Sequence, residues 1–232
     1  MSSEIDRTAE TDAVPEGEGD LRAVDGRVPG RRGMATRQRL LEHTRALLET
    51  TAYRDLKVVD IAREAGTSPA TFYQYFPDAE AALLALADGL VGEARERLTR
   101  PLREATWQRR SAYDACERVA ASFLDFWTDH SALMAVIDLI ALQGDPRFRD
   151  VRNEVVSPFV IAAAEVITDQ QSHGNVPKDL DPISTAVVLV SMLAHVAAHQ
   201  ERLEYASVRR SKLLQAMARM IYTGVTGQPP PD

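Results

Sequence analysis

Lys57-Val58-Val59-Asp60-Ile61-Ala62-Arg63-Glu64-Ala65-Gly66-Thr67-Ser68-Pro69-Ala70-Thr71-Phe72-Tyr73-Gln74-Tyr75-Phe76 is the stretch on which the reading of this chain turns. Val58, Ile61, Ala62 and Ala65 recur at helical spacing and predict a short amphipathic helix. Gly66 follows as the residue that can turn left-handed at a helix end. Ser68 is a good N-cap, and Pro69 falls at the first helical position, where its missing N–H costs nothing. A second short helix is therefore expected to run to about Phe76, with Pro77 breaking it and Asp78 capping the next. Two short helices joined by a tight turn, the second dense in hydroxyls and rings, form the pattern of a helix-turn-helix DNA reader.

The side chains suit that task. A recognition helix must offer short or flat groups to a major groove about 12 Å wide. Thr67, Ser68, Ala70 and Thr71 are small or hydroxyl-bearing, and Tyr73, Gln74 and Tyr75 follow. Hydroxyls can meet phosphate or base edges, and Gln can pair with adenine. Phe72 and Phe76, four apart, read as core.

Outward from the motif, charge is uneven. The chain of 232 residues has net charge −7. Residues 1–30 carry 3 basic and 8 acidic groups, residues 31–79 carry 8 and 6, and residues 80–232 carry 16 and 20. The one positive segment holds the motif, and a phosphate-facing patch needs only locally placed Arg and Lys. Residues 1–33, rich in Glu, Asp, Gly and Pro, are expected to be a disordered tail. Its end, Arg31-Arg32, leads into Arg37 and Arg39. It reads either as a solvated linker or as a basic arm, Arg37 included, touching the DNA backbone or minor groove.

Leu40, Leu41, Thr44, Leu47 and Leu48 predict the helix before the motif. Leu83, Ala87, Leu90, Val91, Ala94 and Leu98 predict the one after it, ending or kinking at Pro101. Further amphipathic stretches cover about 108–129, 131–142, 147–173, 182–204 and 207–223. The expected fold is all-α with nine helices: tail 1–33, DNA-binding domain 34–79, a helical domain 80–225 and a tail 226–232. The absence of an apolar run of about 18 residues argues against a membrane span, and the N-terminus lacks a signal peptide's pattern. The single cysteine, Cys116, suits a reducing cytoplasm.

Residues 37–86 resemble the DNA-binding domain of the TetR family of bacterial transcriptional regulators. The matching stretches are Leu40-Leu41 with Leu47-Leu48, Val58-x-Asp60-Ile61-Ala62-x-x-Ala65-Gly66, Ser68-x-x-Thr71-Phe72-Tyr73-x-Tyr75-Phe76, and Glu80-x-x-Leu83. The resemblance implies a homodimer on a palindromic double-stranded operator and a C-terminal domain holding a small-molecule pocket. By position, Ser68, Pro69, Ala70, Thr71, Tyr73 and Tyr75 match the DNA-contacting helix. Lys57 replaces the usual capping hydroxyl, which loses the cap but offers the DNA phosphates a charge; Ala79 replaces a common Lys, and Tyr75 a frequent His.

For the pocket, Phe123, Phe126, Trp127, Met134, Phe159, Ser191, Met192 and His195 are the candidates. Each is weighed against ordinary bundle core, and Phe123 and Trp127 rank first because they lie one turn apart on a helix that the resemblance places at the ligand. Their composition suits a small, mostly apolar effector. Val187, Val190, Ala194 and Ala197, with Leu214, Met217 and Ile221, are the expected dimer seam. His195 and His199 share a helix face but lack a third ligand, so no metal is expected. Arg147, Arg149 and Arg152 read as a solvated face, with an anion site as the alternative. No catalytic signature or cofactor motif is recognisable, and a helical-bundle enzyme is the disfavoured reading beside a sensor or an effector-free DNA-binding scaffold.

Overall fold

The computed structural model describes Val24, residues 29–205 and residues 208–231. Among them there are ten α-helices and no strand. They are α1 (Arg31–Leu48), α2 (Val58–Glu64), α3 (Pro69–Tyr75), α4 (Ala79–Arg103), α5 (Arg109–Asp129), α6 (Ser131–Leu142), α7 (Pro146–Ser172), α8 (Pro182–Ala198), α9 (Gln200–Tyr205) and α10 (Arg210–Thr226). A single 3-10 turn, Tyr53–Asp55, links α1 to α2.

α1, α2 and α3 pack as a small head around Leu40, Leu41, Ile61, Ala62, Phe72 and Phe76, all buried. The rest forms one layered bundle in which α4, α6, α8 and α10 pack against α7, and α5 packs on α4, α8 and α10. Phe123, Phe148, Phe159, Ile167, Leu193 and Tyr222 lie in its interior. α4 runs from the head into the bundle without a break. Pro101, expected to end or kink it, lies inside the helix and is buried, with Leu98 and Leu102 beside it holding the turn in place.

Three expectations on boundaries change. α1 begins at Arg31, so the basic pair belongs to its first turn and not to a tail; most of the expected 1–33 tail lies outside the described residues. The predicted helix over 182–204 divides at His199, giving ten helices instead of nine. The cause is Gln200, which is buried. Its amide nitrogen donates to the carbonyls of Leu124 (2.9 Å) and Ala197 (3.0 Å), and Arg210 donates to its oxygen (2.6 Å). Arg210 also pairs with Asp125. A side-chain clamp to α5 thus competes with the α8 ladder at this point, where no Gly or Pro marks the break. The C-terminal segment, expected to be a loose tail from 226, is held at its start. Thr226 is buried, Gly227 is left-handed at φ 65°, and a Cβ on Gly227 would come within 2.5 Å of the Asn175 carbonyl.

Candidate DNA-reading head and ligand crevice

The turn into α3 is built as its sequence requires. Gly66 adopts φ 66° and Ser68 accepts the Thr71 N–H at 3.2 Å, with Pro69 opening the helix. Such a cap is worth about 1 kcal/mol. The Thr71 hydroxyl lies 3.0 Å from that of Ser68, so both mark the helix start. Phe72 is fully buried and tilts against Phe76 at 5.5 Å, which fixes the roll of α3 about its axis. The opposite face carries Ser68, Ala70, Tyr73 and Gln74, all exposed, with Tyr73 at 51%. Thr67, Pro69 and Thr71 are half-buried at its edge. Lys57 is exposed at the start of α2 and makes no side-chain cap there.

Two expected DNA contacts are placed differently. Arg37 lays its guanidinium over the Phe76 ring, 5.1 Å from the centroid, and lies half-buried within the head. It also acts on the Asp88 carboxyl of α4, whose pKa is raised by burial and by Glu154 of α7 against the lowering effect of Arg37. Arg37 therefore belongs to the junction between head and bundle. Tyr75 is half-buried, its hydroxyl close to Gly33 of α1, where an added Cβ would lie 3.2 Å away. Val24, from the expected tail, donates its N–H to the Gln74 carbonyl at 3.0 Å.

A second contact line joins head and bundle. The Tyr53 hydroxyl donates to Glu80 at 2.8 Å, and burial together with Glu80 pushes the Tyr53 pKa up to about 12. Arg147, at the start of α7, lies 3.5 Å from the other Glu80 oxygen and forks onto Asp145 at 2.7 and 3.2 Å. Residues from the α1–α2 link, α4 and α7 are thus in one polar row. Further along α4, the exposed Glu93 carboxylate accepts from the buried His130 at 3.0 Å and from Arg97 at 3.1 Å. These bonds hold its pKa low against the raising effect of burial.

In the bundle two adjoining lobes, of about 300 and 400 Å³, open between α5, α6, α7 and α8. Trp127, Met134, Asp138, Ala198 and His199 line both. Val156, Val190, Ala194, Ser191, His195, Arg152 and Asn153 complete the larger one. Gln200 and Glu201 close the smaller one, so the clamp that breaks α8 also forms its end. Volumes of this size hold small organic ligands.

Of the residues expected at a ligand, Trp127, Met134, Ser191 and His195 line this crevice. Phe123, Phe126 and Phe159 do not. Phe123 stacks on Trp127 at 5.6 Å and 9°, meets Phe159 edge-on at 4.9 Å, and is fully buried with Phe126. They form an aromatic core behind the Trp127 wall. Met192 packs half-buried against the core on the other side of α8. His195 and His199 stack at 4.3 Å, the His199 Nδ1 donating to the His195 carbonyl at 2.9 Å. Asp138, Asn153 and Gln200 were not expected at this site, and Arg152 was expected on a solvated face with an anion site as the alternative; they come together only once α6 and α7 pack on each other and α8 breaks. Cys116 is buried, which pushes its thiol pKa up to about 12.

Of the residues expected at the dimer seam, Val190, Ala197, Met217 and Ile221 are buried inside their own chain, and Ala194 and Leu214 are half-buried. Only Val187 is exposed. The large apolar groups exposed on these helices are Ile183, Val187 and Val188 on α8 and Met220 on α10.

Residues 40–86 match the family described as bacterial regulatory proteins of the tetR family, and residues 98–232, more than half of the chain, match the tetracyclin repressor-like C-terminal domain. The HTH-type transcriptional regulator EthR of Mycolicibacterium smegmatis is 30% identical over 152 residues, 65% of this chain and 67% of that protein. EthR of Mycobacterium tuberculosis is 26% identical over 183 residues, 78% of this chain and 83% of its own. Among solved structures, the regulator FadR of Bacillus subtilis in complex with stearoyl-CoA superposes with a TM-score of 0.62 at 17% identity, over 82% of this chain and 98% of that one.

Proposed function

This chain belongs to the TetR family and is a helix-turn-helix transcriptional regulator, and on that premise we propose that it works as a homodimeric repressor released from a palindromic operator by a small amphiphilic effector in the α5–α8 crevice. The observation that carries the reading is the arrangement of α7. Arg152, Asn153 and Val156 on this helix line the crevice, while Arg147 and Glu154 on the same helix face Glu80 and the Arg37–Asp88 junction of the head. A ligand between α6, α7 and α8 acts on α7, and α7 acts on the head.

Release then follows from a shift in population. The two recognition helices of a dimer must enter successive major grooves, about 34–36 Å apart. A ligand that favours a different α7 position turns each head through the Tyr53–Glu80–Arg147 row and spoils that spacing. No chemical step is required of the protein. An acyl-like apolar part suits the Trp127, Met134, Val156 and Val190 surface, and the similar Bacillus subtilis regulator was solved with stearoyl-CoA.

Replacing Arg147 by Ala and Tyr53 by Phe tests the transmission. Operator affinity and crevice binding of a decyl probe, chosen from decanoate, decanol and decylamine by thermal shift, are expected to stay within about threefold of wild type. The ratio of operator affinities with and without the probe, typically about 5–150-fold for coupled sites, is expected to fall toward one. A double mutant that releases DNA as fully as wild type would remove the α7 row from the mechanism.

A further inference from the structure

Arg152 presents a half-used guanidinium to the crevice. Its Nε donates to Asp138 Oδ1 at 2.6 Å, across from α7 to α6. Among the described residues its two terminal nitrogens have no hydrogen-bond partner, and Arg152 lines the larger lobe together with Asn153, His195 and His199. Asp138 is the one carboxylate of that lobe, and the Nε contact is directed to it. Anchored by Nε, the fork is oriented before anything binds. Two parallel N–H donors match the two oxygens of a planar or tetrahedral anion.

We propose that the effector carries an anionic head, a carboxylate or a phosphate ester, received by the terminal nitrogens of Arg152, with its apolar tail against Trp127, Met134, Val156 and Val190. This rests on the crevice being the effector site, and it names the chemistry of what enters it. Asn153, with donors of its own, completes a polar end opposite the Trp127 wall. A ligand with a cationic head meets the same guanidinium as a repulsion. A purely apolar ligand leaves the Arg152, Asn153 and His195 groups desolvated without a partner. Asp138 is the positioning residue: it lines the lobe beside Arg152 and holds the guanidinium by Nε, leaving the terminal nitrogens to the anion.

The test compares decanoate, decyl phosphate, decanol and decylamine on the full chain by isothermal titration, for wild type, Arg152→Gln and Asp138→Asn. Wild type is expected to bind the acid or the phosphate at least tenfold more tightly than the alcohol, and the amine least. Which of the two anions binds better assigns the head as carboxylate or phosphate. Arg152→Gln is expected to abolish the preference for the anion while leaving alcohol binding unchanged, and Asp138→Asn to weaken anion binding several-fold without changing alcohol binding. Alcohol and anion binding alike in wild type, or an anion preference that survives Arg152→Gln, would overturn the assignment and leave the crevice as the effector site. The same titrations on Trp127→Ala separate the two readings. If none of the probes binds, or if those that do are indifferent to Trp127, the crevice reading falls and this inference with it.

Discussion

Replacing Tyr73 and Gln74 together by alanine is expected to abolish sequence-specific DNA binding and leave the fold intact. Both side chains lie on the exposed face of α3; Tyr73 meets the Phe72 ring edge-on at 5.9 Å from outside, while the buried Phe72–Phe76 pair that sets the helix is left in place. In a dimer the two substitutions remove four contacts. At about 1–3 kcal/mol for each good base contact, specific affinity should drop to the level of non-specific binding, about 10³-fold or more weaker. The measurement is fluorescence anisotropy on an operator duplex and on a scrambled one, at one stated salt concentration, since phosphate contacts make both affinities salt-dependent. Circular dichroism and Tm serve as the check on folding. A double mutant that still separates operator from scrambled DNA would place the reading surface elsewhere.

The second large effect concerns assembly. The seam we propose uses Val188, exposed at 68%, with Val187 and the half-buried Met192 and Val196 on α8, and Met220, exposed at 54%, with Leu213 and Ala216 on α10. Val188, Met192 and Val196 are four residues apart and form one stripe, and a two-fold axis would bring it against itself. Val188→Glu with Met220→Glu places four carboxylates at such a seam. Light scattering at micromolar concentration is expected to report a folded monomer in place of a dimer. Val190→Glu or Met217→Glu should behave otherwise, because both side chains are buried in their own chain. An unpaired buried charge there costs several kcal/mol and unfolds the protomer. A Val188→Glu, Met220→Glu protein that remains dimeric would move the seam off these two helices.

The reading head was legible because every local cue agreed with the others: the Gly66 turn, the Ser68 cap, Pro69 at the first position, and Phe72 and Phe76 four apart. The start of α1 was less so, since Arg31 to Thr36 show no apolar period. Arg37 looked like a free basic arm because a sequence does not reveal that a cation will settle on the ring of Phe76.

The bundle was harder for a different reason. α8 is apolar almost all round, from Ala186 to Ala197. Its period says that the helix is buried, but not which side meets its own core, which the crevice and which a partner. Val190, Ala197 and Met217 were therefore expected at a seam, and their side chains lie buried inside their own chain. The same limit placed Phe123, Phe126 and Phe159 at the ligand, when they form the aromatic packing behind Trp127. Asp138 with Arg152, and Gln200 with Leu124, meet across helices 14 and 76 residues apart. No local pattern announces such pairs.

Selection of binding sites from a random duplex library by the purified full chain tests the central claim most directly. The expected product is an inverted repeat whose half-site centres are separated by about one helical turn, 10–10.5 base pairs, or a multiple of it. Enrichment of a site without two-fold symmetry, or of no sequence at all, would contradict a dimeric reader built on α3.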